Sequence, residues 1–494
     1  MRVNRAGLGL ILLMLPTFLV ALDTTALLLA LPRLSAALGA DSVEQLWISD
    51  SYGFTVAGLV ITMGTLGDRI GRRRLLLAGA GAFAVLSAVA AFAVSPLMLI
   101  VVRALLGVAG ATLAPSTLAL ITNMFRDERE RGKAIAAWAT CQFAGGALGP
   151  VLAGLLLQYF WWGSVFLVSV PAMVLLLIAG PVLLPEFRGG QAGRLEPASV
   201  SLSLAAVLLM IYGIKQLAAG SGTLGPALAL VVGAAAGVVF VRRQLRLEAP
   251  LLDLRLLRSR PLAAVLVALV FAGIAIAGTG LLVTQYLQEV LGYSPSASAM
   301  LFAPMGLGVA AGTMAAPVLA GRMKQTTAIA GGLTVSALGS LLLVGAGALP
   351  LVVAGITVLA LGTGPLFALG TGLVVGSVPP ERAGSAASMS ETGNYLGGSL
   401  GFALLGVLAA VIYRSRMDGT SDSLAGAVAA SRHLPAGQGA RLLQAVREAF
   451  TASLHATGGA AAVIFAGLAV LILTMHPATR TTPDALHDYE ATRS

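Results

Sequence analysis

The sequence is dominated by long apolar runs that alternate with short segments carrying most of its charge. A helix needs about 20 mainly apolar residues to cross the hydrocarbon core of a bilayer, where its backbone groups must be paired internally. Fourteen runs meet this requirement, at about residues 8–31, 46–66, 75–94, 97–120, 134–157, 164–184, 199–219, 224–241, 261–290, 298–320, 327–347, 350–376, 385–413 and 457–475. The sequence therefore predicts an all-α polytopic membrane protein with 14 transmembrane helices.

The composition excludes several other classes of protein. Charged residues make up 11% of the 494 residues, against about 25% in a typical soluble domain, and the mean hydropathy is +0.91. The net charge of +10 is distributed over short clusters between apolar runs, so no nucleic-acid partner is expected. One cysteine and four histidines favour neither a disulfide framework nor a metal site. No G-x-x-x-x-G-K-[ST] loop is present, so we expect neither an ATP-driven pump nor an enzyme, and no cofactor.

The positions of the basic residues predict the orientation. With the N-terminus inside, most of the 31 lysines and arginines fall in cytoplasmic segments, as the positive-inside rule requires. An even number of spans returns the chain to its starting side. We therefore predict a multi-pass protein of the cytoplasmic (cell) membrane with both termini in the cytoplasm, surrounded by lipid and monomeric.

A weak internal repeat indicates how the spans are grouped. The segment GTLGDRIG after the second span is echoed by PVLAGRMK after the tenth, with Gly321 where Asp68 stands. Repeats of this kind are typical of transporter folds. They predict an N-terminal six-helix bundle (1–184), two inserted helices with a basic cytoplasmic linker (185–260), a C-terminal six-helix bundle (261–476) and a cytoplasmic tail (477–494).

One long outer loop, residues 414–456, interrupts the C-terminal bundle. Apolar residues recur at helical spacing between Gly439 and Leu454. A short outer helix or hairpin is expected there. It could cap an external vestibule or simply cover the structure.

The segment between the second and third spans reads GTLGDRIGRRR over residues 64–74. A glycine permits a tight turn, and an aspartate can pair with arginines or cap a neighbouring helix. A merely basic inner turn accounts for the arginines but not for the glycines and the aspartate. Five positions in this segment are therefore singled out as candidate functional residues: Gly64, Asp68, Arg69, Gly71 and Arg72.

A charged residue and a glycine-rich stretch mark the next two spans. Arg103 lies inside the fourth span, followed by Gly107 and Gly110, and an intramembrane charge should be paired or face water. The fifth span has small residues that allow close helix packing and a proline that removes a backbone hydrogen bond. Its candidate residues are Gly145, Gly149, Pro150 and Gly154.

Together these segments resemble the fourteen-helix drug:proton antiporters of the major facilitator superfamily, especially the quaternary-ammonium and multidrug efflux pumps. Residues 64–74 are similar to the signature G-x-L-x-D-R-x-G-R-[RK], and residues 103–111 to R-x-x-x-G-x-x-x-A. Residues 145–154 are similar to the antiporter motif G-x-x-x-G-P-x-x-G-G, with Ala153 replacing one glycine. Residues 22–25, 47–52, 285–295 and 388–392 also look like this branch.

The resemblance implies a major facilitator fold arranged 6+2+6, in which residues 64–74 latch the two halves. It also implies export of small amphiphilic molecules in exchange for protons, with the proton gradient as the energy source. Some multidrug members have an acidic residue in the tenth span near Val309. Its absence here argues against recognition of divalent cations.

Depth along the helices suggests which charges meet. At about 1.5 Å per residue, Asp23 lies roughly 12 Å from the outer end of the first span and Arg103 roughly 9 Å into the fourth. We therefore expect these two residues to face one another. Glu391 lies roughly 9 Å from the inner end of the thirteenth span. Proton coupling is predicted for Asp23, Arg103 and Glu391, and substrate contact for Asp23, Glu391, Asp50 and Tyr52.

Alternatives remain open at this point. Asp23 could be a purely structural partner of Arg103, and Glu391 could cap a helix that begins later. Four aromatic residues could form walls for a planar cation, or could simply face lipid or pack: Trp138, Phe143, Phe302 and Phe367. The protein could be a dedicated exporter of one secondary metabolite, conferring self-resistance, or a transporter-like sensor or lipid-binding scaffold.

Overall fold

A computed structural model describes residues 5–40, 42–188, 197–218, 224–247, 259–345, 347–376, 378, 383–417 and 435–474. The predicted cytoplasmic tail and most of the predicted basic linker lie outside these ranges. The described residues are almost entirely helical. The helices are α1 Arg5–Leu38, α2 Ser42–Ile70, α3 Arg72–Ala91, α4 Pro96–Met124, α5 Glu128–Tyr159, α6 Ser164–Leu167, α7 Ser169–Leu183, α8 Pro197–Ala218, α9 Leu224–Arg246, α10 Arg260–Gln285, α11 Pro295–Arg322, α12 Gln325–Val344, α13 Leu349–Pro365, α14 Thr371–Gly376, α15 Ala383–Arg416 and α16 Ala436–Thr474.

A helix occupies each of the fourteen predicted spans, with α6–α7 and α13–α14 each filling one. Eleven helices in the described ranges are long and apolar enough to cross a membrane. The regions of α2, α8 and α15 are not among those eleven. The all-α membrane fold is thus confirmed, whereas the count of fourteen spans stays a prediction.

Two π-helical turns interrupt the C-terminal helices. Tyr286–Val290 extends α10, and Leu366–Gly370 joins α13 to α14. The second begins directly after Pro365, which has no N–H to continue the hydrogen-bond ladder. The π turn brings Phe367 into the core.

The helices group into two sets with an inserted pair. In the N-terminal set α1 packs against α5, and α4 against α2 and α3. In the C-terminal set α10 packs against α15, and α13 against α11 and α12. The sets meet where α5 lies on α11 and where α15 lies on α2 and α4. The inserted helix α8 pairs with α9 and contacts both α2 and α15, so it lies along the second of these seams.

The outer loop is shorter than the predicted 414–456. The apolar stretch expected to form a short separate helix is the first part of α16, a continuous helix of 39 residues. At about 1.5 Å per residue this helix is roughly 58 Å long, well beyond the roughly 30 Å of a bilayer core. Its outer part packs on α15, where Ser453 Oγ donates to the carbonyl of Ala409 at 3.0 Å. Residues 418–434 lie outside the described structure.

Candidate functional site

The buried ion pair of the N-terminal set joins Asp23 and Arg103. Asp23 is on α1 and Arg103 on α4, and the Nη1 of Arg103 donates to Oδ2 of Asp23 at 2.8 Å. Both side chains are almost completely buried. The predicted juxtaposition is therefore confirmed. Such a pair loses hydration on burial, so its geometry must be good to offset that cost.

Helix α2 completes the surroundings of Arg103. The Nε of Arg103 donates to the carbonyl of Ile48 at 3.3 Å, and its guanidinium carbon lies 4.8 Å from the ring centroid of Tyr52. Tyr52 is 1% exposed. Its ring fits because Gly107 and Gly110 have no side chains: a methyl group on Gly110 would lie 2.5 Å from the Tyr52 hydroxyl. Tyr52 thus contacts Arg103 from one side rather than standing free in a cavity.

Only one oxygen of Asp23 is used by Arg103. Within the described residues its Oδ1 is buried and has no hydrogen-bond partner. A buried carboxylate oxygen without a donor is costly, and it is a natural position for a proton or a cationic group. Asp50 belongs to α2, and its side chain lies outside the described structure.

The glycine-rich stretch of α5 lies against α1 on both sides of Asp23. Gly145 contacts the backbone of Phe18, and a methyl group on Gly149 would lie 2.6 Å from the Leu22 carbonyl oxygen and 3.0 Å from the Ala26 nitrogen. Two glycines four residues apart thus bring the helix backbones together, with Pro150 inside the same helix. Gly154 is half-buried, and Ala153, where the antiporter motif has glycine, is fully buried.

Glu391 lies well inside α15, which begins at Ala383, so it does not cap the helix. Its side chain is 2% exposed. The neutral amides of Gln142 on α5 and Asn394 on α15 lie close enough to the carboxyl group to interact with it. None of the four ion pairs in the described part of the chain involves Glu391.

The two acids lie at different depths. Gly145 faces Phe18 and Gly149 faces Leu22, so α1 and α5 advance together in the same direction. By this register Gln142 is level with residue 15 of α1, eight residues before Asp23. At about 1.5 Å per residue, Glu391 and Asp23 are separated by roughly 12 Å along the helix axes.

The N-terminal and middle parts of α5 contact the C-terminal set. Thr140 Oγ1 lies 2.6 Å from Thr313 Oγ1 of α11, and the rings of Phe143 and Phe367 are 4.9 Å apart. Further along, Ala147 packs against Gly306 of α11. The C-terminal part of α5 instead contacts the C-terminal part of α1, where Arg33 donates to the carbonyl of Leu157.

The candidate latch forms a compact network at the C-terminal end of α2. Both Nε and Nη2 of Arg72 donate to Oδ1 of Asp68, the first at 2.8 Å. Arg72 is fully buried over Gly67. Gly71 has φ 113°, a conformation that residues with a side chain rarely adopt. Gly64 is buried in α2 and Arg69 is half-buried at its end.

Glu186 belongs to this network, and sequence reasoning did not identify it. Its Oε1 accepts from the backbone N–H of Arg73 at 3.3 Å, and its Oε2 is 3.6 Å from both Arg73 Nε and Arg74 Nε. A carboxylate at the N-terminus of α3 is favoured by the helix dipole. A methyl group on Gly71 would lie 2.5 Å from the Glu186 carboxylate. The segment between the predicted sixth and seventh spans also contains Arg188, Arg194 and Glu196, so its charge pattern did not single out Glu186.

Two sets of helices packed along seams, with buried acids near the seams, define a polytopic membrane transporter. The family model of the Major Facilitator Superfamily matches residues 13–402. The chain belongs to this superfamily.

Individual relatives agree with this assignment. The chain is 38% identical to the multidrug efflux pump LfrA of Mycolicibacterium smegmatis, over 95% of this chain and 96% of that one. It is 33% identical to the methyl viologen resistance protein SmvA of Salmonella typhimurium, over 90% and 93% of the two chains. The crystal structure of the human organic anion transporter MFSD10 is similar with a TM-score of 0.64 at 16% identity, covering 94% of this chain and 98% of that one. That last likeness bears on the fold alone.

Proposed function

We propose that this protein is a proton-coupled antiporter that exports lipophilic, cationic compounds across the cytoplasmic membrane by alternating access. Export of drugs is supported by the relatives, which are named as a multidrug efflux pump and a methyl viologen resistance protein. Proton coupling and the cationic character of the cargo rest on the site.

The observation that carries the proposal is the buried Glu391. The side chains that interact with its carboxyl group in the described structure are the neutral amides of Gln142 and Asn394. A buried carboxyl group with no counterion is stable when it holds a proton or when a cation arrives to replace it. Competition between the two for one carboxyl group is the simplest chemistry of exchange.

The surroundings of Glu391 suit a lipophilic cation. Its partner Gln142 is followed by Phe143, whose ring packs against Phe367 at 4.9 Å. Aromatic faces attract cations and bury apolar surface. A carboxylate near an aromatic pair can therefore hold a charged head and a flat apolar body together.

Asp23 supplies a second acid, deeper towards the outer side. Arg103 neutralises one of its oxygens and leaves Oδ1 without a partner in the described structure. We assign to Asp23 the role of adjusting its ion pair with Arg103 as protons or substrate pass. We assign to Glu391 the direct exchange of a proton for a cation. Rocking of the two sets about the α5–α11 and α2–α15 seams then changes the side from which the carboxyl groups are reached.

Efflux of preloaded ethidium from cells tests the proposal. Wild-type efflux should stop when a protonophore removes the proton gradient. Glu391→Gln and Asp23→Asn should lose efflux at equal membrane abundance, whereas Glu448→Gln, the same kind of change on an exposed part of α16, should retain it. Protonophore-insensitive efflux would contradict proton antiport. Full activity of both neutral variants would contradict the assigned roles.

A further inference from the structure

A second glycine-rich stretch, in α15, repeats the one in α5. Residues 397–401 read GGSLG, and residues 145–149 read GGALG, 252 positions earlier. The proline that follows the stretch in α5, Pro150, is replaced by Phe402 in α15. Without that proline the antiporter signature is not evident in the sequence of α15, so the contacts of the two stretches have to decide whether they are equivalent.

The stretch in α15 lies directly on the backbone of α10. A methyl group on Gly397 would overlap the carbonyl oxygen of Val270. One turn further along, a methyl group on Gly401 would overlap the carbonyl oxygen of Ile274. The approach is equally close from the other side, because a methyl group on Gly278 of α10 would lie 2.7 Å from the Gly401 carbonyl oxygen. The two helices are therefore in backbone contact, as small residues at a helix interface allow.

These contacts match those between α5 and α1 residue for residue. Gly145 meets the carbonyl of Phe18, and Gly149 meets that of Leu22. In all four contacts the glycine lies 127 positions after the residue whose carbonyl it meets. One spacing of 252 positions thus relates both helices of the two pairs, which indicates an internal repeat of the kind that transporter folds contain.

Both stretches belong to the helices that form the seams. Helix α5 contacts α11, and helix α15 contacts α2 and α4. In each set, the seam helix is therefore held by its glycines against the first helix of its own set. The thickness of that contact determines how far the seam helix projects towards the opposite set.

The two acids are the positions at which the repeat is broken. The equivalent of Glu391 in α5 is Ala139, and the equivalent of Asp23 in α10 is Ala275. Each of the two glycine-packed helix pairs therefore has one of these acids. Glu391 precedes Gly397 by six residues on the same helix, so the acid moves with α15 without being part of the glycine contact.

We infer that residues 397–401 are the counterpart of the α5 glycine motif in the C-terminal set, with Gly397 and Gly401 as positioning residues for transport. They set the spacing between α10 and α15, and with it the width of the seam that α15 forms with α2 and α4. A methyl group at either position pushes α15 towards α2 and α4, so the two sets are held further apart. The inference goes beyond the proposed function, because it concerns how closely the two sets approach, whichever gradient drives transport.

Disulfide formation between cysteines introduced at Thr140 and Thr313 measures the approach of the two sets without any substrate. The native hydroxyl oxygens are 2.6 Å apart across the α5–α11 seam, and Cys141→Ala removes the native thiol. Alanine at either positioning residue should slow cross-linking several-fold, although both residues lie on a different helix. Gly398→Ala is the matched control and should not slow it, because its methyl group would meet no atom of the described residues within 4 Å.

Exchange of ethidium by proteoliposomes, with equal pH on both sides, supplies a kinetic readout. Gly397→Ala and Gly401→Ala should lower the maximal exchange rate several-fold and leave the half-saturating concentration unchanged, because neither glycine touches an acid. Gly149→Ala, the equivalent change in α5, should show the same split, whereas Gly398→Ala should exchange like the wild type. No proton gradient is present, so a failure of proton coupling leaves both readouts intact and is detected separately.

A wild-type value of either readout in folded Gly397→Ala and Gly401→Ala proteins would overturn the positioning role. An equal change in Gly398→Ala would overturn it as well. If the first two variants do not fold, Gly278→Ala enters the same contact from α10. It must then slow cross-linking and lower the maximal exchange rate, and wild-type behaviour of Gly278→Ala would overturn the inference.

Discussion

Arg103 on α4 donates from Nη1 to Oδ2 of Asp23 on α1 at 2.8 Å, with both side chains shielded from the surface. The pair fixes α4 against α1, and Tyr52 of α2 covers the guanidinium. Three helices of the N-terminal set are thus joined at one charge. A change that leaves the Arg103 charge without its counterion should therefore affect both the stability of the protein and transport.

Removing one member of the pair should be more harmful than removing both. Asp23→Asn leaves the guanidinium of Arg103 buried without a counterion, which costs about 3–5 kcal/mol in comparable sites. The double variant Asp23→Asn/Arg103→Gln has no uncompensated charge and should regain at least half of the lost thermal stability. Differential scanning fluorimetry of the three purified proteins checks this. A double variant less stable than Asp23→Asn would show that the pair is not the source of the effect.

The contact between α5 and α1 should depend on Gly149 and not on the nearby Gly146. Gly149→Ala places a methyl group against the Leu22 carbonyl and the Ala26 nitrogen, so α1 must move, at a cost of about 1–3 kcal/mol. Gly146→Ala is the control, because its methyl group would meet only Thr25 Cγ2 at 3.9 Å. Ethidium efflux should fall several-fold in the first variant and remain in the second. Equal efflux in the two would contradict the close approach.

The latch should fail when Gly71 acquires a side chain. Gly71→Ala meets both an unfavourable φ of 113° and the Glu186 carboxylate at 2.5 Å. Gly132→Ala, in an open helical position of α5, should be neutral or slightly stabilising. Glu186→Gln should weaken the same network by removing the charge that pairs with Arg73 and Arg74. Efflux measured at equal membrane abundance distinguishes the three variants. Normal efflux by Glu186→Gln would show that Glu186 is not part of the latch.

A disulfide across the α5–α11 seam should stop transport. Thr140 and Thr313 have hydroxyl oxygens 2.6 Å apart, so cysteine thiols introduced at the two positions would face each other across the seam. The pair is introduced with Cys141→Ala, which removes the protein's single native cysteine. Oxidation should abolish efflux, reduction should restore it, and neither single-cysteine variant should respond. Full efflux by the cross-linked protein would mean that this seam does not move.

The pairing of the charges inside the N-terminal set could be predicted from the sequence, because charges on two neighbouring spans can pair when they lie at the same depth. Asp23 and Arg103 lie in two uninterrupted spans of opposite direction, and 1.5 Å per residue brings them to one level. The same arithmetic put Glu391 inside α15, and the structure confirms that it is buried there. Family assignment followed from the spacing of the glycines and charges over residues 64–154, and the matching family model confirms it.

Contacts across the seam could not be placed in this way. Thr140 meets Thr313 through the rotation of α5 about its own axis and the docking of two sets that are distant in sequence. A threonine inside an apolar run marks a polar position but does not identify its partner. The length of α16 was missed for another reason: its first part is amphipathic and polar, so hydropathy starts the span at about residue 457, whereas the helix starts at Ala436.

Transport by purified protein in liposomes tests proton-coupled export most directly. Vesicles carrying a pH gradient and an internal pH-sensitive dye are given ethidium on the side opposite the protons, with no ATP present. Wild-type protein should dissipate the gradient only when ethidium is added, and a pre-set ethidium gradient should drive proton movement in the opposite direction. Glu391→Gln should do neither, although it reconstitutes equally well. Ethidium movement that leaves the pH gradient untouched would contradict the account.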